Sequence, residues 1–152
     1  MVVITSDSHR KGKYMPVSKP IPKELNALIE VQPLLDPLPQ AAKKRLIAES
    51  CVMSFNTGEL LIEENEPNHF LYLLLKGSAS AIMNGTVAGE LEAGDIAGEI
   101  SAIGMSPPIA NVVADSNLQA VAFPVESIIK AAREHAEFGE RLRKAAIRRV
   151  SG

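Results

Sequence analysis

The pair Gly98-Glu99, with Ser101 two positions on, gathers a carboxylate, a hydroxyl and the free N–H groups of a helix start in one short stretch. A helix N-terminus draws an anion, but its dipole contributes only ~0.3–1 kcal/mol in ordinary settings. Glu99 has two readings: an acceptor for a ligand hydroxyl, or a first-turn glutamate complementing the helix dipole. Asn111 is likewise either a ligand contact or a residue satisfying local backbone. Between Gly77 and Ile129 there is no Lys, Arg or His, whereas Glu90, Glu92, Asp95, Glu99, Asp115 and Glu126 are all acidic. No Gly-Lys-Ser/Thr follows the Gly98-Glu99 pair, so it is not a phosphate loop of the nucleotide-hydrolase type. His9, His69 and His135 fall in a tail, a turn and a helix, which argues against a metal centre. Cys51 lacks a nearby histidine and no nucleophile elbow is present, which argues against nucleophilic catalysis. The expectation is a non-enzymatic chain without a metal.

The elements that must position these residues follow from the punctuation. Leu25, Leu28 and Ile29 predict a short helix between Pro22 and Pro33, and Leu38, Ala42, Leu46 and Ile47 a second after Asp36-Pro37. From Cys51 the pattern changes to short β runs: Cys51 to Phe55, Leu60 to Glu63, Phe70 to Leu75, Ser78 to Met83, Thr86 to Leu91, Asn111 to Ala114 and Leu118 to Phe123. Asn84-Gly85 is a two-residue hairpin signal. Helical spacing returns after Pro124. The fold class is mainly β with flanking helices, a barrel or roll. Residues 1–22 are expected to be a flexible tail and 23–150 one domain, with helices over 23–50, a β-roll over 51–124 and closing helices over 125–150.

At 152 residues the chain can bury a core without disulfides, and its net charge of −2 advertises neither nucleic acid nor membrane. A lone cysteine, the absence of a long apolar run and a four-residue apolar start lead to the expectation of a cytoplasmic protein.

Three motifs in order carry a family resemblance. They are Thr57-Gly58-Glu59-Leu60-Leu61-Ile62, Leu71-Tyr72-Leu73-Leu74-Leu75-Lys76-Gly77, and Gly94 to Ser101 followed by Pro107-Pro108-Ile109-Ala110-Asn111-Val112. Together they resemble cyclic-nucleotide-binding domains of the Crp/Fnr type over about Leu25 to Val150. The resemblance implies a β-roll of the jelly-roll kind, in which the third motif is the phosphate-binding cassette and Glu99 stands where the family's glutamate meets the ribose hydroxyl. Pro108 stands where the family has its phosphate-binding arginine, and Ala97 where it usually has an aromatic residue. Removing one member of a buried ion pair typically costs about 3–5 kcal/mol, some two to four decades of affinity. The cassette residues Gly98, Glu99, Ile100, Ser101, Pro108, Ile109, Ala110 and Asn111 therefore read as a diverged or vestigial pocket, with cAMP or cGMP doubtful as ligands and no other cofactor expected.

The resemblance also implies partners. The last helix forms the dimer axis in Crp/Fnr relatives, and here it presents Phe138, Gly139, Leu142 and Ala146, so a homodimer is expected. The chain stops at Gly152, where the family's transcription factors continue into a helix-turn-helix, so no direct DNA contact is expected. The leading expectation is a regulatory module that docks an unidentified signalling protein. The alternative is a small-molecule or cyclic-nucleotide sensor keeping a modified pocket around Glu99, either lined by Ile100, Ile109 and Val112 or completed by Arg133 or Arg141 acting in trans.

Overall fold

The computed structural model describes residues 2–3, 17–98 and 108–151, without side chains for 2–3 and 146–151. Among the described residues, ten strands and four helices follow one another in the order β1 Val2–Val3, β2 Val17–Pro20, α1 Lys23–Glu30, α2 Gln40–Ala48, then the strands, then the closing helices. The remaining strands are β3 Cys51–Phe55, β4 Leu60–Ile62, β5 Phe70–Lys76, β6 Ala79–Met83, β7 Thr86–Leu91, β8 Ile96–Ala97, β9 Asn111–Ala114 and β10 Leu118–Pro124. The closing helices are α3 Val125–Glu134 and α4 Ala136–Ser151, and a 3-10 turn, Pro33–Leu35, separates α1 from α2.

All strand pairs are antiparallel. One sheet runs β1-β2-β3-β10-β5-β8, the other β4-β9-β6-β7, and they close on each other as a roll. The continuous apolar run of β5 is explained by burial on both faces. Tyr72 and Leu74 point into the roll, while Leu71 and Leu73 join Val121 and Phe123 of β10 under the helices. The helices supply Ile29, Leu46, Ile128 and Phe138 to that second core. Proline precedes three of them, Pro22, Pro39 and Pro124, each extended and so closing the chain's entry into the helix. Asn84 and Gly85 both take positive φ, 54° and 75°, which matches the twist a tight β6–β7 hairpin requires.

Two expectations change here. Val17–Pro20, placed in the N-terminal tail by its sequence, is a strand paired along its length with β3. The signal was masked because Pro20 at its end and four residues of length leave no readable alternation. Phe138 and Leu142, expected on a dimer face, are fully buried in the chain's own core. Gly139 turns toward Ala132, where a Cβ would approach the Ala132 carbonyl oxygen at 3.1 Å. The α3–α4 elbow takes Phe138 and Leu142 into this core, and the side chain of Ala146, the fourth residue of the expected face, lies outside the described ones.

Candidate functional site

One loop, Glu63–His69, which joins β4 to β5, lies against both described ends of the cassette and is bonded to the far one. At the near end Gly98 has φ +99°, a conformation few side chains tolerate. An added Cβ would lie 2.6 Å from the Phe70 carbonyl oxygen and 2.9 Å from Asn68 Nδ2, so glycine is needed for the backbone's close approach as well as its dihedral angle. Asn68 sits beneath it in a local ring: its Nδ2 donates to the Phe70 carbonyl at 2.8 Å, and the Phe70 N–H donates to Asn68 Oδ1 at 3.3 Å.

At the far end the Asn65 N–H donates to the Pro108 carbonyl at 3.0 Å, with Asn65 itself at φ +64°. One residue earlier in the loop, the Glu64 N–H donates to Asn111 Oδ1 at 2.7 Å. Of the two readings of Asn111, the structure therefore places its oxygen on backbone. Pro108 is buried, Ala110 packs against the roll's interior, and Ile109 is 40% exposed. Val112 is buried in the roll and Asn111 opens β9 opposite Ile82. Glu99, Ile100 and Ser101, the carboxylate, apolar and hydroxyl members of the expected site, lie outside the described residues.

The Glu63–His69 loop was not singled out from the sequence. Its signal was present in the turn-forming run Glu63-Glu64-Asn65-Glu66-Pro67-Asn68-His69, since Asn tolerates left-handed backbone and bonds its own neighbourhood. The loop also sets the charge beside the cassette: it brings Glu63, Glu64 and Glu66 to the segment that bonds Pro108, and His69 is its one basic side chain. Pro108 itself is a buried pyrrolidine ring whose carbonyl is bonded by this glutamate-bearing loop.

Inside the roll Tyr72 meets Phe55 edge-on, at a centroid distance of 5.9 Å, and Phe70 at a tilt. Burial, and secondarily the neighbouring Cys51, pushes the Tyr72 phenol well above its ordinary pKa, and burial pushes the Cys51 thiol up as well. Both stay protonated at neutral pH, so neither is poised to ionise. Arg141 is engaged with the 3-10 turn, donating to the Pro33 carbonyl and standing 3.8 Å from Asp36. Among the described residues no group of three or more His, Cys, Asp or Glu could hold a metal, and no helix is long and apolar enough to cross a membrane.

Comparison with known proteins places these features in a family. The model of the cyclic nucleotide-binding domain matches residues 52–135, more than half of the chain. A cAMP-dependent protein kinase regulatory subunit from Hypocrea atroviridis is 25% identical over 115 residues, which cover 69% of this chain. The chain spans about a quarter of that relative's length, 25%. Among solved structures, the regulatory subunit of a cAMP-independent protein kinase A from Trypanosoma brucei superimposes with a TM-score of 0.70 at 20% identity, covering 79% of this chain and 46% of that one. A variant of the same trypanosome protein, with three substitutions of which one introduces an arginine, has cAMP bound in its A site; it superimposes with a TM-score of 0.69 at 20% identity, covering 77% and 45% of the two chains.

Proposed function

The chain belongs to the cyclic nucleotide-binding domain family, and from that premise we propose that it is a non-enzymatic regulatory domain which has given up tight binding of cAMP and cGMP and works through contacts with another protein. The observation that carries this reading is Pro108. The sequence resemblance aligns it with the family's phosphate-binding arginine; in the structure it is buried, with its carbonyl tied to Asn65 in a loop rich in glutamate. A cyclic phosphate entering there would meet carboxylates and no guanidinium. The loss of such a partner for a buried charge is worth about 3–5 kcal/mol, far beyond what a helix N-terminus restores.

Two further observations support it. Asn111, which could have addressed a ligand, spends its oxygen on the Glu64 backbone. Arg141, one of the two cations considered as substitutes, is committed to Pro33 and Asp36. The trypanosome relative is itself described as belonging to a cAMP-independent kinase, and its arginine-bearing variant has cAMP bound, which gives the same chemistry a precedent on this fold.

Calorimetric titration of the full chain with cAMP and with cGMP tests the reading. We expect no binding tighter than about 100 μM, and Pro108→Arg to tighten cAMP binding by at least about ten-fold. Low-micromolar affinity of the unaltered chain for either nucleotide would overturn it.

A further inference from the structure

A concavity of about 560 Å³ opens between β7, the first residues of the cassette motif at Gly94, Asp95 and Ile96, the 3-10 turn and α4. Leu34, Leu73 and Ile96 give it an apolar lining, with Gly89 and Glu90 of β7 on one side and Arg141 on another. Its size falls within the range of sites that receive a ligand or a peptide side chain.

Among the described residues, the strand that borders it is paired on one side alone. β7 ends its sheet and, among the described residues, pairs only with β6. Alternate N–H and C=O groups of an edge strand face outward and are a template for another strand. Exposed edges are commonly guarded by lysine or proline, and Thr86–Leu91 has neither. The register slips between Ala81 and Ile82, leaving Ala88 without a β6 partner, and Ala88 is itself part of the concavity's wall. A bulge of this kind bends a strand and re-aims its backbone. Val87 beside it is 54% exposed.

Charge selects the occupant. Glu90, Glu92 and Asp95 are exposed along β7 and the turn after it, within a stretch from Gly77 to Ile129 that has no Lys, Arg or His. The cation on the far wall, Arg141, is already answered by Asp36.

We propose that this groove docks an extended basic segment of a partner protein, whose backbone adds to β7 while an apolar side chain covers Leu34, Leu73 and Ile96 and flanking Lys or Arg residues meet Glu90 and Glu92. The proposal rests on the reading of the domain as a protein-interaction module and names the surface it uses. Main-chain bonds supply affinity in such strand addition, and the side-chain pocket and charges supply specificity.

The probes are three synthetic octapeptides titrated into the full chain by calorimetry and amide NMR: one alternating lysine and leucine, one alternating glutamate and leucine, and one lysine–leucine peptide with alternate residues N-methylated to remove their donors. The first is expected to bind at least about ten-fold tighter than the other two, to weaken with salt, and to shift the amides of Ala88, Gly89 and Glu90. Exchanging Glu90→Lys together with Glu92→Lys, both exposed, is expected to abolish the preference with the melting temperature unchanged. Equal binding of the acidic or N-methylated peptide, or no peptide binding, would overturn the proposal. Self-association lost in the same double variant would assign the edge to a second copy of this chain and overturn it too. These outcomes are independent of the nucleotide titration: absent peptide binding with absent nucleotide binding sinks only the groove, whereas tight nucleotide binding sinks the broader reading.

Discussion

Strands β5 and β10 divide two cores of different make. On their helix side, Leu71, Leu73, Val121 and Phe123 meet Ile29, Leu35, Leu46, Ile128, Phe138 and Leu142, and a single alanine, Ala131, is buried among them. On their roll side the buried set includes six alanines, Ala79, Ala81, Ala97, Ala114, Ala120 and Ala122, around the larger Phe55, Tyr72 and Leu74. The helix-side core is held by bulky side chains that interlock, and it is vulnerable to truncation. The roll interior sets its six alanines among nine larger side chains, and at the alanines it is vulnerable to enlargement. Pro108 is not among the residues of the helix-side core.

The sharpest way to break that contrast is Phe138→Ala, which removes a fully buried ring from the helix side. A loss of about 3–5 kcal/mol is expected in a urea titration at unchanged slope. A loss below about 1 kcal/mol would mean that α4 is not integral to the core. The counterpart inside the roll is Ala120→Leu, at a fully buried position. Overpacking is expected to cost about 1–3 kcal/mol. A neutral outcome would reveal room in the roll, and with it the physical basis for a small-molecule sensor.

The smallest effect concerns Tyr72. Its phenol holds its proton more tightly folded than unfolded, because burial and then Cys51 disfavour the phenolate. The unfolded chain therefore ionises first: the contribution is fully present below about pH 10 and is lost as pH rises above it. Chemical denaturation across alkaline pH should show this sag, with Cys51 acting in the same direction, and Tyr72→Phe should flatten it while costing less than about 1.5 kcal/mol at neutral pH. An unchanged sag in that variant would assign the alkaline sensitivity elsewhere.

Most of the roll was legible in the sequence because its strands are short runs between strong turn residues. The seven strand segments expected between Cys51 and Phe123 all have counterparts, and Asn84-Gly85 marks its hairpin. The strands that escaped notice, β1, β2 and β8, are two to four residues long and take their identity from a neighbour rather than from a pattern. The family was legible from its three motifs. The loop beside the cassette was not, since the bonds of Glu64 and Asn65 reach residues up to 47 positions away.

By itself, the sequence determined the family-like order of elements, the absence of Lys, Arg and His from Gly77 to Ile129 and the proline at position 108, because residue type and local spacing are written directly in it. Only the tertiary structure decided that Asn111 serves backbone, that Phe138 and Leu142 belong to the chain's own core, and that β7 borders a groove with Arg141 opposite. Those facts depend on which surfaces meet after the roll closes and α4 folds back, and helical or strand periodicity fixes which residues share a face without fixing what that face will touch.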